Sequence, residues 1–209
     1  MRRLCVLLVG VFLTLSLPAL ATPALITGGD DALLADDYAL VASNICLCDP
    51  VVSNPLEGIT LISAAYYSAS SESYLYMYQL INNSPSFATI HRLAVTNFEG
   101  LAVDTETGYI DANPDMFMVG TAAPLLSDIS VIDETVGFYL EVLAGQISKV
   151  MYACSTLAPS AELAPALVQN SGQAYGLAVV PGLDGNPIPE PATMAMLGLG
   201  ALLIGKRKK

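Results

Sequence analysis

The chain of 209 residues has no tryptophan, one histidine and few basic residues. Without tryptophan it lacks the large aromatic most useful for stacking on a ligand or anchoring an interface. A single histidine, His91, excludes centres that need several imidazoles, and as a base it would still require a nucleophile and an orienting acid. Six of the eight basic residues stand at the two ends: Arg2, Arg3, Lys206, Arg207, Lys208 and Lys209. Between Thr22 and Ile188 only Arg92 and Lys149 face eighteen acidic residues. Such a body repels phosphate backbones, and nucleic acid is excluded as a partner because that affinity rests on Lys and Arg. Cations, or a matrix bridged by cations, complement it.

What the sequence does contain is concentrated at its ends. Arg2 and Arg3 precede an apolar run from Leu4 to Leu17, and Ala19 and Ala21 give a small-x-small pattern. This predicts a secretory signal peptide over 1–21, handled by the Sec machinery and cut by signal peptidase between Ala21 and Thr22. The run is shorter than the ~20 residues of a spanning helix. Cys5 lies inside it, upstream of any lipobox position.

The carboxyl end, 189–209, reads PEPATMAMLGLGALLIGKRKK. Residues 192–205 are apolar or small and predict a transmembrane helix, short for a hydrocarbon core of ~30 Å. The basic stop Lys206, Arg207, Lys208 and Lys209 can snorkel to the headgroups and holds that end in the cytoplasm. Pro189 and Pro191 fix their own φ and push Ile188 and Glu190 toward extended conformations. A stiff, extended peptide therefore stands just outside the bilayer.

Between these ends the pattern predicts a mainly β body over 22–180, followed by a linker over 181–188. Strands are expected at 58–68, 73–82, 87–98, 116–120, 135–143, 147–155 and 174–180, from β-branched and aromatic content and turn formers between them. That makes an antiparallel β-sandwich of about seven to eight strands. The 73–82 segment is apolar on both faces, as a central strand requires. Two segments break the pattern. In 30–43, Leu34, Tyr38 and Val41 recur at helical spacing behind Asp30 and Asp31, predicting a short helix. In 156–172, Pro159 and Pro165 predict a loop with one helical turn.

Candidate chemistry in the body is sparse. Cys46, Cys48 and Cys154 survive signal cleavage. In an oxidising compartment a bridge from Cys46 or Cys48 to Cys154 would tie the amino-terminal segment to a late strand. A C-x-C metal or redox site lacks the usual C-x-x-C spacing and partner histidines. Asp111, Asn113 and Asp115 fall at D-x-N-x-D spacing, which presents oxygens suited to calcium. An EF-hand loop is excluded there, because Met116 and Ala122 stand where glycine and glutamate are needed. The stripe Tyr74, Tyr76 and Tyr78 serves either core packing or stacking on sugars. No catalytic residue and no cofactor other than calcium is expected.

The carboxyl end, with Pro-Glu-Pro, Ala-Thr, a Gly-rich apolar helix and a basic tip in order, resembles the PEP-CTERM sorting signal of bacterial secreted proteins. The resemblance implies recognition and cleavage near Pro189, Glu190 and Pro191 by an exosortase, a membrane cysteine transpeptidase-like enzyme. It further implies passage through the inner membrane to the cell surface or extracellular matrix of an exopolysaccharide-producing Gram-negative bacterium. The body, in SYLYMYQLINNS and LAGQISKVMYACS, is similar to β-rich domains carried by such proteins. The expected role is a non-enzymatic surface or matrix protein associated with exopolysaccharide. The alternative is a carbohydrate- or calcium-binding adhesive module.

Overall fold

Strand β5 (Ser73–Asn82) organises the fold because both its faces are apolar. Tyr76, Tyr78 and Leu80 point to one side, Leu75 and Met77 to the other, and all five are fully buried. Only an interior strand covered above and below can satisfy both sets. The computed structural model, which describes residues 22–26, 38–51, 56–85, 88–170 and 172–183, places β5 at the middle of a five-stranded sheet. Its neighbours are β4 (Ile59–Ser68) and β10 (Val150–Ser155), flanked by β2 (Tyr38–Leu47) and β7 (Thr107–Ile110).

A second sheet of seven strands packs against it. Its order is β1 (Thr22–Leu25), β8 (Pro124–Ser130), β9 (Thr135–Val142), β6 (Ile90–Val95), β11 (Ala164–Gln169), β12 (Gln173–Ala178) and β3 (Asp49–Pro50). All the strand pairs are antiparallel. Leu61, Tyr76 and Tyr78 of the first sheet interdigitate with Leu93, Val136 and Phe138 of the second in one core. Each such side chain contributes ~1.5–3 kcal/mol on burial. Tyr76 meets Phe98 edge-on at 5.4 Å, and Tyr78 lies 6.3 Å from Phe138. A smaller cluster, including Ile62, Leu75, Met77 and Tyr152, covers the outer face of the five-stranded sheet. Phe117 and Met116 from the β7–β8 connection pack into it.

The turns follow local chemistry. At the β4–β5 turn, Ser71 N–H donates to Ser68 Oγ and Glu72 takes φ 51°. At the β8–β9 turn, Asp133 N–H donates to Ser130 Oγ and Glu134 takes φ 47°. Short side-chain hydrogen bonds of this kind close turns that would otherwise call for glycine.

Four expectations are corrected. The sandwich has twelve strands among the described residues, not seven or eight. The helix expected over 30–43 is a strand from Tyr38 onward, while 30–37 lies outside the described residues. A bulge between Leu40 and Ala42 makes Val41 the extra residue and shifts the two-residue alternation by one, so Tyr38 packs on the outer cluster while Val41 and Ala42 both pack on the inter-sheet core. The segment expected as a loop with a helical turn contains β11, despite Pro165. Pro165 O accepts from Thr96 N–H at 3.1 Å, so its hydrogen-free nitrogen points the same way, past the last residue of β6. The strand expected at 116–120 is a loop, held by side-chain bonds rather than a ladder.

The body also continues to Leu183. Ser160 N–H donates to Val180 O, Gly182 N–H to Ala158 O, and Leu183 N–H to the Glu99 carboxylate. Among the described residues no helix is long and apolar enough to cross a membrane. The signal peptide at 1–21, the transmembrane helix at 192–205 and the basic tip at 206–209 lie outside the described residues.

Candidate functional site

The tyrosine stripe belongs to the core. Tyr76 and Tyr78 are fully buried, and their hydroxyls donate to Leu157 O and Val179 O, each at 2.9 Å. Burial pushes both phenols well above their ordinary value, with neighbouring tyrosines adding to the shift at Tyr76. Neither ring offers a face to a sugar. Tyr74 is half-buried, its ring tilted 42° to that of Tyr67 with centroids 4.8 Å apart.

The D-x-N-x-D residues stand at alternate positions on the β7–β8 connection. Asp111, Asn113 and Asp115 are all exposed. Asp111 Oδ1 pairs with Lys149 Nζ at 2.9 Å, and the Asp115 charge is close enough to Tyr66 to raise its phenol, after burial itself. Among the described residues no three His, Cys, Asp or Glu side chains converge.

No bridge links the three cysteines in this structure, and the partners expected for one, Cys46 or Cys48 with Cys154, stand on opposite sides of the five-stranded sheet. The physical reason is the strand alternation of β10. Ala153 faces the inter-sheet core where Cys48 lies, and Cys154 joins the cluster on the opposite side of the sheet. Cys46 and Cys48 instead sit together where the chain crosses from β2 to β3.

An arrangement that the sequence reading missed lies on the outer face of the larger sheet. Arg92 of β6 reaches across β9 to Asp128 of β8, Nη2 to Oδ2 at 2.8 Å. Nη1 donates to Gln169 Oε1 at 3.1 Å, and the guanidinium stands 5.2 Å above the Tyr139 ring. Gly137 makes the crossing possible, since a Cβ there would lie 1.8 Å from Asp128 Oδ1. A glycine inside an apolar strand was the available signal for such a close approach. The pair is mutually neutralised and ties three strands together. His91, one residue earlier on β6, is exposed.

A cleft of about 170 Å³ opens where the chain leaves the body, lined by residues that include Asn97, Glu99, Glu162 and Gly182. The peptide beyond it leads toward Pro189, Glu190 and Pro191, which lie outside the described residues.

No curated protein and no solved structure matches the chain. Residues 187–209 match the family model of the PEP-CTERM protein-sorting motif, which covers the Pro-Glu-Pro, the apolar run and the basic tip. That motif implies recognition by an exosortase, and export with membrane processing on the way to the cell surface. Joined to a closed, acidic β body, it identifies the chain as a protein carrying a PEP-CTERM sorting signal.

Proposed function

We propose that this is a surface or extracellular-matrix structural protein, released from its membrane segment by an exosortase and held among exopolysaccharide. The sorting motif at 187–209 carries the reading, because it directs the body outward. The body supports a scaffold role in two ways. Tyr76 and Tyr78 of its aromatic stripe are spent on the core, and the Arg92–Asp128 ion pair is spent on joining strands.

The sheet edges also support it. β1 contains Pro23, β3 is two residues ending in Pro50, and β7 is four residues between Glu106 and Asp111. Proline, shortness and charge each discourage pairing with another chain. β2 runs ten residues without charge or proline and exposes Leu40, Ile45 and Leu47. A neutral edge on an otherwise acidic body is where copies can meet without repulsion.

The test is fractionation of matrix from producing cells. The body is expected in the insoluble polysaccharide fraction, and deleting its gene is expected to weaken matrix cohesion. Recovery as a freely soluble monomer, with matrix mechanics unchanged by deletion, contradicts the reading. Calcium-dependent binding of the same protein to purified polysaccharide would favour the adhesive-module alternative.

A further inference from the structure

Two cysteines separated by one residue in an extended chain place their side chains on the same face, with Cα atoms about 6.6 Å apart. That separation is at the edge of the ~6.8 Å limit for a disulfide, and closing the bridge also requires the Cβ atoms to be drawn to ~4 Å, which the end of β2 at this corner allows and a strand interior would not. Cys46 is the last residue but one of β2 and Cys48 lies between β2 and β3, so both belong to the corner that joins the two sheets. Both thiols turn inward. Cys48 is 1% exposed within the inter-sheet core, and Cys46 packs against that core.

Gly176 on β12 fixes how closely they converge. A Cβ at Gly176 would lie 2.9 Å from the Cys46 sulfur and 2.9 Å from the Cys48 sulfur. The two sulfurs therefore crowd one point above a backbone that has no side chain to separate them. Leu177 N–H donates to Cys46 Sγ at 3.2 Å. Cys154 cannot compete, because its side chain lies on the far side of the five-stranded sheet.

We propose that Cys46 and Cys48 form a disulfide with one another in the exported protein, leaving Cys154 reduced. The oxidant is a protein disulfide of the oxidising compartment, and the inference rests on export but not on the structural role. Cys46, the less buried of the two thiols, gives its proton to solvent and attacks one carrier sulfur, releasing the other as a carrier thiolate. Cys48 then gives its proton to that thiolate and attacks Cys46 Sγ, releasing the second carrier sulfur, which takes a proton from solvent. Two protein S–H bonds and the carrier S–S bond are lost; one protein S–S bond and two carrier S–H bonds are gained. The electron pair passes to the carrier. The product staples the corner where β2 hands the chain to β3 and β12.

The test uses full-length protein exported by producing cells, quenched with acid, alkylated under denaturing conditions and digested without reduction. The peptide bearing Cys46 and Cys48 is expected unalkylated and lighter by two hydrogens, with Cys154 alkylated. Alkylatable thiols in the mature protein thus fall from three to one. A Cys154→Ser variant is expected to keep the bridge and to lose thermal stability on reduction. Full alkylation of both Cys46 and Cys48, or either one found linked to Cys154, overturns the proposal. Because the mapping needs no variant at the corner, a Cys46→Ser protein that fails to fold leaves the test intact. Retention of an uncut signal peptide would show separately that export, and not the pairing, has failed.

Discussion

Replacing Gln79 by leucine is expected to destabilise the body by about 3 kcal/mol, because each buried backbone group left without its partner costs roughly 1–3 kcal/mol. Gln79 is fully buried on β5, facing away from the main core. Its Nε2 donates to Met118 O at 2.7 Å and Ser148 O at 3.0 Å, and its Oε1 accepts from Met118 N–H at 2.9 Å. Leucine matches the volume but satisfies none of the three. Some of the loss is recovered by water near the exposed Met118, whereas Ser148 O belongs to a fully buried residue. For a domain of this size the melting temperature should fall by roughly 6–12 °C. Amides around Met118 should exchange faster before the rest of the protein opens, since Gln79 fastens the loop that roofs the outer cluster. Wild-type stability, or unaltered exchange at Met118, would show that this loop is held by its apolar contacts alone.

The second large effect is alkaline. Tyr76 and Tyr78 are held above the ordinary phenol value of 10.0 by burial, and Tyr66 is raised by burial and then by Asp115. In the reduced protein, burial and then the neighbouring Cys46 push the Cys48 thiol from 9.0 up to about 12. A group whose folded-state pKa is raised contributes stability that is complete below its unfolded value and is lost as pH rises through the folded one. Stability should therefore be flat up to about pH 9 and fall above it. Above pH 10 each phenol that lags contributes up to ~1.4 kcal/mol per pH unit, so Tyr76 and Tyr78 alone set a steep decline. Phenolate absorbance should rise in two stages, with the buried rings ionising only together with loss of the folded far-UV signal. A single gradual titration of all ten tyrosines while the fold persists would contradict the burial assigned to them.

How much was legible in the sequence follows from which interactions are local. β4, β5, β9 and β12 announce themselves through alternation and turn residues, and the double-sided burial of β5 is written into Leu75 through Leu80. β2 was misread because its bulge at Leu40 breaks the alternation that identifies strands. β11 was misread because Pro165 is tolerated through a tertiary coincidence, its nitrogen falling beyond the end of β6. The 116–120 loop has strand-like residues, yet long-range bonds from Gln79 hold it out of the ladder. The cysteine pairing turned on which face of β10 carries residue 154, a parity that composition cannot reveal. The sorting signal was legible in full because its chemistry lies in consecutive residues, with no fold needed to assemble it.

The most direct measurement is the intact mass of the product recovered outside producing cells. The account predicts a chain that begins at Thr22 and ends near Pro189–Pro191, without the apolar run and without Lys206, Arg207, Lys208 and Lys209. A secreted product whose mass still includes that basic tip contradicts it.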